Sequence, residues 1–348
     1  MKAGILTIID NDNYGNRLQN YAIQNVLLKE FDTVETIKND AFSNTKEKYL
    51  LRKIRNIGKS NTYSNNSNRR KNFQEFNRYI NFSKKKVTVF SKNIKYDICF
   101  VGSDQVWNPF IKRLRDVDLL SFIESNKRIS FSASFGISEL PKEYHKKLKK
   151  ELSKFKSISV REEAGKKIIK DVVRRKDAEV LVDPTMLLTD FEWDKVSKKP
   201  KMLKSNKFIL NYFLGDLSER RKKEIDKVAK ENNCEVINIL DKNSPFYECG
   251  PSEFLYLEKN ATLICTDSFH SVVFSILYKR PFLVFDREDN TISMNSRIET
   301  LLSKFKLEDQ KYKNKITKKD LNCNYEETSK ILQKERKKAL NWLKKSLK

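Results

Sequence analysis

The chain has 348 residues, 39% of them hydrophobic and 34% charged, and 71 Lys and Arg against 46 Asp and Glu leave a net charge of +25. That length suffices for two α/β domains with separate cores, and no apolar run approaches the ~20 residues of a membrane span. The five cysteines (Cys99, Cys234, Cys249, Cys265 and Cys323) are scattered without CxxC spacing, and His145 and His270 lie far apart; no disulfide framework, zinc site or tightly bound transition metal is expected.

The N-terminus, MKAGILTIIDNDNYG, lacks a small-residue cleavage site and reads as a first core strand rather than a signal peptide, which predicts a cytoplasmic protein. Residues 2–9 predict a buried strand and 15–29 a helix. The turn between them, within DNDNYGNRLQNYA (10–22), carries Asn13, Tyr14 and Gly15. Either the asparagines cap the helix, or the turn presents backbone N–H groups and Gln19 to a ligand. Residues 41–72 are polar, and SNTYSNNSNRRK (60–71) predicts a mobile loop.

KYDICFVGSDQVWN (95–108) predicts a strand that runs into a glycine turn. Ser103, Asp104, Gln105 and Trp107 there offer a hydroxyl, a carboxylate, an amide and a flat apolar face, a mixture suited to a sugar. An ordinary Asx-type turn with Trp107 in the core is the alternative. RISFSASFG (128–136) predicts another strand, 141–156 an exposed basic helix, KSISVREEAGKKIIK (156–170) a strand feeding a helix, and AEVLVDPTML (178–187) a strand ending at Pro184. Arg161, after a strand and before a helix, could hold a carboxylate or phosphate bidentately or pair with Glu162 or Glu163.

A connector of about twenty residues with Lys198-Lys199-Pro200-Lys201 in its middle predicts a domain boundary. The pattern restarts with a strand over 207–215, a helix over 218–232 and a strand over 234–240. ATLICTDSFHSVVFSILYKRPFLVF (261–285) reads as strand, turn, helix and strand, with Val272, Val273, Ile276 and Leu277 on one helical face. This sets Ser268 and His270 at a helix N-terminus past a buried strand, where open α/β sheets bind ligands and free N–H groups favour an anion. The last segment lines up Leu340, Leu343 and Leu347 on one face. The expected domains are 1–190, 205–318, and a C-terminal helix over 324–348 that packs back across them. Neither GxGxxG nor GxxxxGK[ST] occurs, which disfavours a dinucleotide or a P-loop nucleotide.

The basic runs, at 142–156, around Arg69-Arg70-Lys71 and at 334–348, admit three readings. A solvated surface of a lysine-rich organism comes first, an anionic membrane surface second and nucleic acid last, because no aromatic ladder or zinc finger lies among them.

The series NYGNRLQNYA, VGSDQVWN, SFSASFG, SVREEAG, VDPTMLL and CTDSFHSVVFSI resembles the polysaccharide pyruvyl transferase family, in family order and over nearly the whole chain. The resemblance implies two Rossmann-like domains facing a cleft, similar to the GT-B glycosyltransferase fold. It implies transfer of the enolpyruvyl unit of phosphoenolpyruvate onto two sugar hydroxyls of a polysaccharide or lipid-linked glycan, with a cyclic ketal formed and phosphate released. Phosphoenolpyruvate is then a co-substrate and no cofactor is expected; a lipid-linked acceptor would bring the protein to the inner face of the membrane. His270 matches the family histidine and is assigned as general acid/base, since histidine, with an ordinary pKa of ~6.5, can give or take a proton near neutral pH. Arg161, Ser268 and Arg297 are assigned to the donor, and Asn13, Tyr14, Gln19, Ser103, Asp104 and Gln105 to the acceptor. Some relatives carry an arginine just before the histidine, where this chain has Ser268 and Phe269. A GT-B-type glycosyltransferase using a nucleotide sugar is the alternative.

Overall fold

A computed structural model describes residues 1–9, 12–38, 63–87, 91, 94–111, 114–288 and 296–348, for 63–67 the backbone only. Its elements begin with β1 (Lys2–Leu6), α1 (Tyr14–Leu27), β2 (Thr33–Thr36), α2 (Tyr63–Phe76), β3 (Ile98–Val101) and β4 (Arg128–Ala133). Next come α3 (His145–Leu152), β5 (Ser157–Val160), α4 (Glu163–Ile168), β6 (Glu179–Val180) and α5 (Asp190–Asp194). The rest are β7 (Phe208–Tyr212), α6 (Glu219–Glu231), β8 (Glu235–Asn238), α7 (Pro251–Asn260), β9 (Leu263–Thr266), α8 (Phe269–Tyr278), β10 (Phe282–Val284), α9 (Ser296–Phe305) and α10 (Glu326–Leu347).

Two compact units share the chain. One comprises Met1–Ser64, Asn77–Leu187 and Lys337–Lys348, the other Asn65–Phe76 and Leu188–Arg336. Each holds one parallel sheet, so the protein is α/β with two parallel-sheet domains.

The first sheet has the order β2-β1-β3-β4-β5-β6. Its strands are short apolar runs because helices and loops cover both faces, and Ile5, Phe100, Val101, Ile129 and Val160 are fully buried. The order reverses at β1, whose neighbours are β2 and β3. The carboxyl ends of β1 and β3 therefore flank the topological switch point, where such sheets bind ligands. Ser130 and Ser132 of β4 do not face water: the Ser130 hydroxyl donates to Ser159 O (2.7 Å) and that of Ser132 to Val182 O (2.8 Å). The register slips between Ser130 and Ala133, with Ser132 in the left-handed region at φ 50°, a bulge that bends the end of β4.

The second sheet, β10-β9-β7-β8, reverses at β7, so its switch point lies between β7 and β9. All ten residues of α8 are buried. The single apolar face expected for this helix is thus corrected: it is a core helix enclosed all round. Helices α7 and α9 were not expected from the sequence.

The loop expected over 60–71 is also corrected, since Tyr63–Phe76 form α2; the rest of the polar stretch, 41–62, lies outside the described residues. Asparagine and serine favour loops, but packing overrides that preference. Phe73 and Phe76 are buried at 0% and 2% exposure, Arg69 lies 4.9 Å from the rings of both Phe73 and Tyr247, and the Asn72 amide donates to Glu248 O at 2.7 Å. On α10 the buried stripe is Ala339, Trp342, Leu343 and Ser346, with Leu340 and Leu347 half-buried. That turns the expected face by about one residue and sets Trp342 in a stack on Phe131 at 5.9 Å.

Candidate functional site

At the switch point of the first sheet, the chain leaves β3 through Gly102 at φ 121°, where a Cβ would lie 2.3 Å from Phe131 O. No side chain fits there, and the turn it permits puts Ser103 and Asp104 over the sheet. Gln19 of α1 bridges the two strand ends. Its amide nitrogen donates to the Thr7 hydroxyl beyond β1 at 2.8 Å, and its oxygen accepts from Ser103 N at 3.0 Å. Asn13 caps α1, accepting from Asn16 N at 3.1 Å, and Tyr14 is fully buried. Of the readings open for this turn, the cap is present.

Arg161 follows β5 and is 4% exposed. It pairs with Asp183 at 2.6 Å and Asp104 at 3.6 Å, and Asp183 also accepts from the Ser103 hydroxyl at 2.6 Å. Burial would lower the guanidinium pKa, but Asp183, Asp104 and Glu162 outweigh it and the pKa is raised. Asp183 completes its set with Thr185 N and Oγ1. Glu162, one of the partners expected for Arg161, acts on it through its charge and itself accepts from Phe135 N at 2.8 Å, Ser134 Oγ at 3.1 Å and Gly136 N at 3.3 Å.

Asp104 sits at φ 63° and is 5% exposed. A non-glycine residue in that region costs on the order of 1 kcal/mol and is held there by its surroundings, here by Ser134 N and Val106 N donating to Asp104 O at 2.9 Å each. Gln105 accepts from the Asn108 amide at 2.6 Å. Trp107 is wholly buried between Phe135 and Phe155. It is a core residue and presents no face to a sugar.

In the second unit, β9 ends at Thr266 and α8 starts at Phe269, with Ser268 at the N-cap. No side chain caps α8, so the amide groups of its first turn point outward with the positive end of the helix dipole. The Asp267 carboxylate accepts from Leu214 N (2.7 Å) and Gly215 N (2.8 Å) beyond β7 and pairs with Arg287 at 3.1 Å. It ties the β7 and β9 ends together across the switch point, and those contacts occupy it. His270 lies edge-on to Phe269 at 5.2 Å, and Arg297 of α9 stands 5.7 Å from the same ring. Arg297, from the later helix α9, thus joins the neighbours Ser268 and His270 at the head of α8, each below 8% exposure.

Behind this turn, the Ser268 side chain and the Tyr212 hydroxyl share a hydrogen bond. The Ser271 hydroxyl donates to Glu258 of α7 at 2.5 Å. Glu258 is completely buried, and desolvation pushes its carboxyl well above the usual range, with the Ser271 bond pulling more weakly downward. Sequence reasoning missed Asp183, Tyr212, Glu258 and Arg287, and named Glu162 only as a surface partner of Arg161. Only Asp183 left a signal, in the VDPT turn after a strand. The others earn their place through partners remote in the chain. Among the described residues no three His, Cys, Asp or Glu side chains are grouped to hold a metal ion, and no helix is long and apolar enough to cross a membrane.

The sequence model of the polysaccharide pyruvyl transferase family matches residues 13–290. No curated protein matches the chain. Solved structures similar to it include the UDP-GlcNAc 2-epimerase of Methanocaldococcus jannaschii in complex with UDP-GlcNAc and UDP, with 15% identity over 96% of this chain and 99% of that one (TM-score 0.46). The UDP-GlcNAc 2-epimerase of Neisseria meningitidis bound to UDP-GlcNAc shares 11% identity over 97% and 100% (TM-score 0.47). A functionally uncharacterised protein of Klebsiella pneumoniae shares 12% over 78% and 98% (TM-score 0.40).

Proposed function

The chain belongs to the polysaccharide pyruvyl transferase family, and from that premise we propose that it transfers the enolpyruvyl group of phosphoenolpyruvate to two hydroxyls of a glycan sugar. Two C–O bonds form at the central carbon and its bond to the phosphate oxygen breaks. One hydroxyl proton ends on the methylene carbon, which becomes a methyl group, and the other leaves with phosphate. A nucleotide-sugar glycosyl transfer is not favoured by the family. The acceptor in this reading is a lipid-linked repeat unit reached from the inner face of a membrane.

The observation that carries the donor assignment is the meeting of Ser268, His270 and Arg297 at the uncapped head of α8. Phosphoenolpyruvate brings a carboxylate and a phosphate, which suit a guanidinium and a helix N-terminus. His270 is the residue we assign to move protons between the attacking hydroxyl and the methylene carbon. On the acceptor side, Asn13, Asp104 and Gln105 border the switch point of the first sheet, and Tyr14, Gln19 and Ser103 form the buried frame beneath them. Arg161 already faces two carboxylates. We read it as the brace of the Ser103–Asp104 turn rather than as a group awaiting an anion.

Calorimetry with phosphoenolpyruvate, against inorganic phosphate and UDP-sugars, tests this on wild type, Arg297→Ala and Arg161→Ala. Selective binding of phosphoenolpyruvate that Arg297→Ala weakens is the expected result. Binding of UDP-sugars in its place would return the nucleotide-sugar alternative.

A further inference from the structure

The turn beyond β3 carries two large apolar side chains side by side in solvent, Phe110 at 57% and Ile111 at 51% exposure. The other exposed large hydrophobics among the described residues, Met1, Leu28, Phe191 and Leu214, stand singly in the chain, which is ordinary for a protein surface. Phe110 is anchored on its N-terminal side. Phe110 N donates to Asn108 Oδ1 at 2.9 Å, and Trp107 and Leu114 on either side are buried at 0% and 3%. The apolar pair therefore follows directly on a segment rooted in the core.

Helix α3 lies beside this turn, because Lys147 donates to Leu114 O at 3.0 Å and pairs with Asp116 at 2.8 Å. The helix buries Leu148 and Leu152 in the core and turns Lys146, Lys149 and Lys150 to solvent. Residues 142–154 hold six lysines and two glutamates. Of the acids, Glu151 is engaged by Arg128 and Lys154 and Asp116 by Lys147, which leaves Glu143 exposed.

We propose that Phe110, Ile111 and the lysine face of α3 form a docking surface for an anionic lipid bilayer. Lysines gain from a negative headgroup layer, and an adjacent apolar pair gains from the acyl boundary beneath it. Each signal alone holds a protein weakly, and stable anchoring takes two. A nucleic-acid duplex would match the lysines, but its bases are stacked and paired inside the helix and not free to stack on Phe110. The inference rests on the proposed lipid-linked acceptor for its purpose only, because docking is measured without donor or acceptor.

The test is co-sedimentation of the full chain with vesicles of phosphatidylcholine alone and of phosphatidylcholine with phosphatidylglycerol. Binding is expected for the anionic vesicles only. The double variants Phe110→Ser with Ile111→Ser, and Lys149→Glu with Lys150→Glu, should each lower the partition coefficient about tenfold, with thermal unfolding unchanged. Lys222→Glu with Lys223→Glu, the same charge change on exposed lysines of α6, should leave it within about twofold of wild type. An equal loss from that control, or no effect of the Phe110 and Ile111 changes, would show net-charge attraction without a docking surface and overturn the proposal. So would tight binding of duplex DNA with none to vesicles. Phosphoenolpyruvate calorimetry on the same variants should match wild type, so a failure here stays separate from a failure of the proposed reaction.

Discussion

The His270 ring is 7% exposed and lies at the head of α8, so alanine there removes the imidazole proposed to move protons without emptying the second core. The general acid/base role predicts a fall in turnover of about 10²–10⁴-fold with unfolding temperature little changed; turnover near wild type would sink the assignment. Two arginines make the converse contrast. Arg297→Ala should weaken phosphoenolpyruvate binding about tenfold by calorimetry, the scale of one charge-assisted contact. Arg161→Ala leaves Asp183 and Asp104 buried without their guanidinium, a loss that typically costs about 3–5 kcal/mol, read in urea unfolding. A stable Arg161→Ala protein with lost donor affinity would reverse the two roles. Glu258 carries a pH signature. Its folded pKa is raised, so its contribution is intact below the usual glutamate range of ~4.3 and is lost as pH rises towards the folded value. Wild type should therefore lose stability over that interval relative to Glu258→Gln. Parallel unfolding curves for the two across pH would show that Glu258 ionises as readily folded as unfolded.

Among the elements, the strands were legible because a parallel strand buried on both faces must be an apolar run, and KAGIL, ICFV and LICT are such runs. Turn chemistry was legible at Gly102, where only glycine fits, and at Asn13, whose side chain caps α1. Helix α2 was not, because its order comes from partners far along the chain. Arg69 meets Tyr247, and Asn72 meets Glu248. The same holds at the site. Asp267 is a near neighbour of His270 in sequence, yet its carboxylate closes the β7 turn and meets Arg287. If packing holds α2, Phe73→Ala should destabilise the second unit by about 3–5 kcal/mol in urea unfolding. A change below about 0.5 kcal/mol would mean that α2 stands on its own polar sequence.

At the scale of the molecule, neither unit is a continuous stretch of chain. The first is closed by Lys337–Lys348, and the second recruits Asn65–Phe76 from between two strands of the first. Contacts between the ends of a long chain form late and cost loop entropy, so these closures should be where each unit's stability is most exposed to mutation. Trp342 tests the first of them. It stacks on Phe131 at 5.9 Å with the ring planes 11° apart, beside the fully buried Ala339 and Leu343. Trp342→Ala should cost about 3–5 kcal/mol. Because Trp342 belongs to the first unit, the cost should appear as faster hydrogen exchange in β3, β4 and β5, with β7 and β9 protected as in wild type. The His270 turn lies in the second unit, so phosphoenolpyruvate affinity per folded molecule should not change. Equal loss of protection in both sheets would mean that the units unfold as one cooperative body, and that the C-terminal residues stabilise the whole chain rather than the sheet they cover.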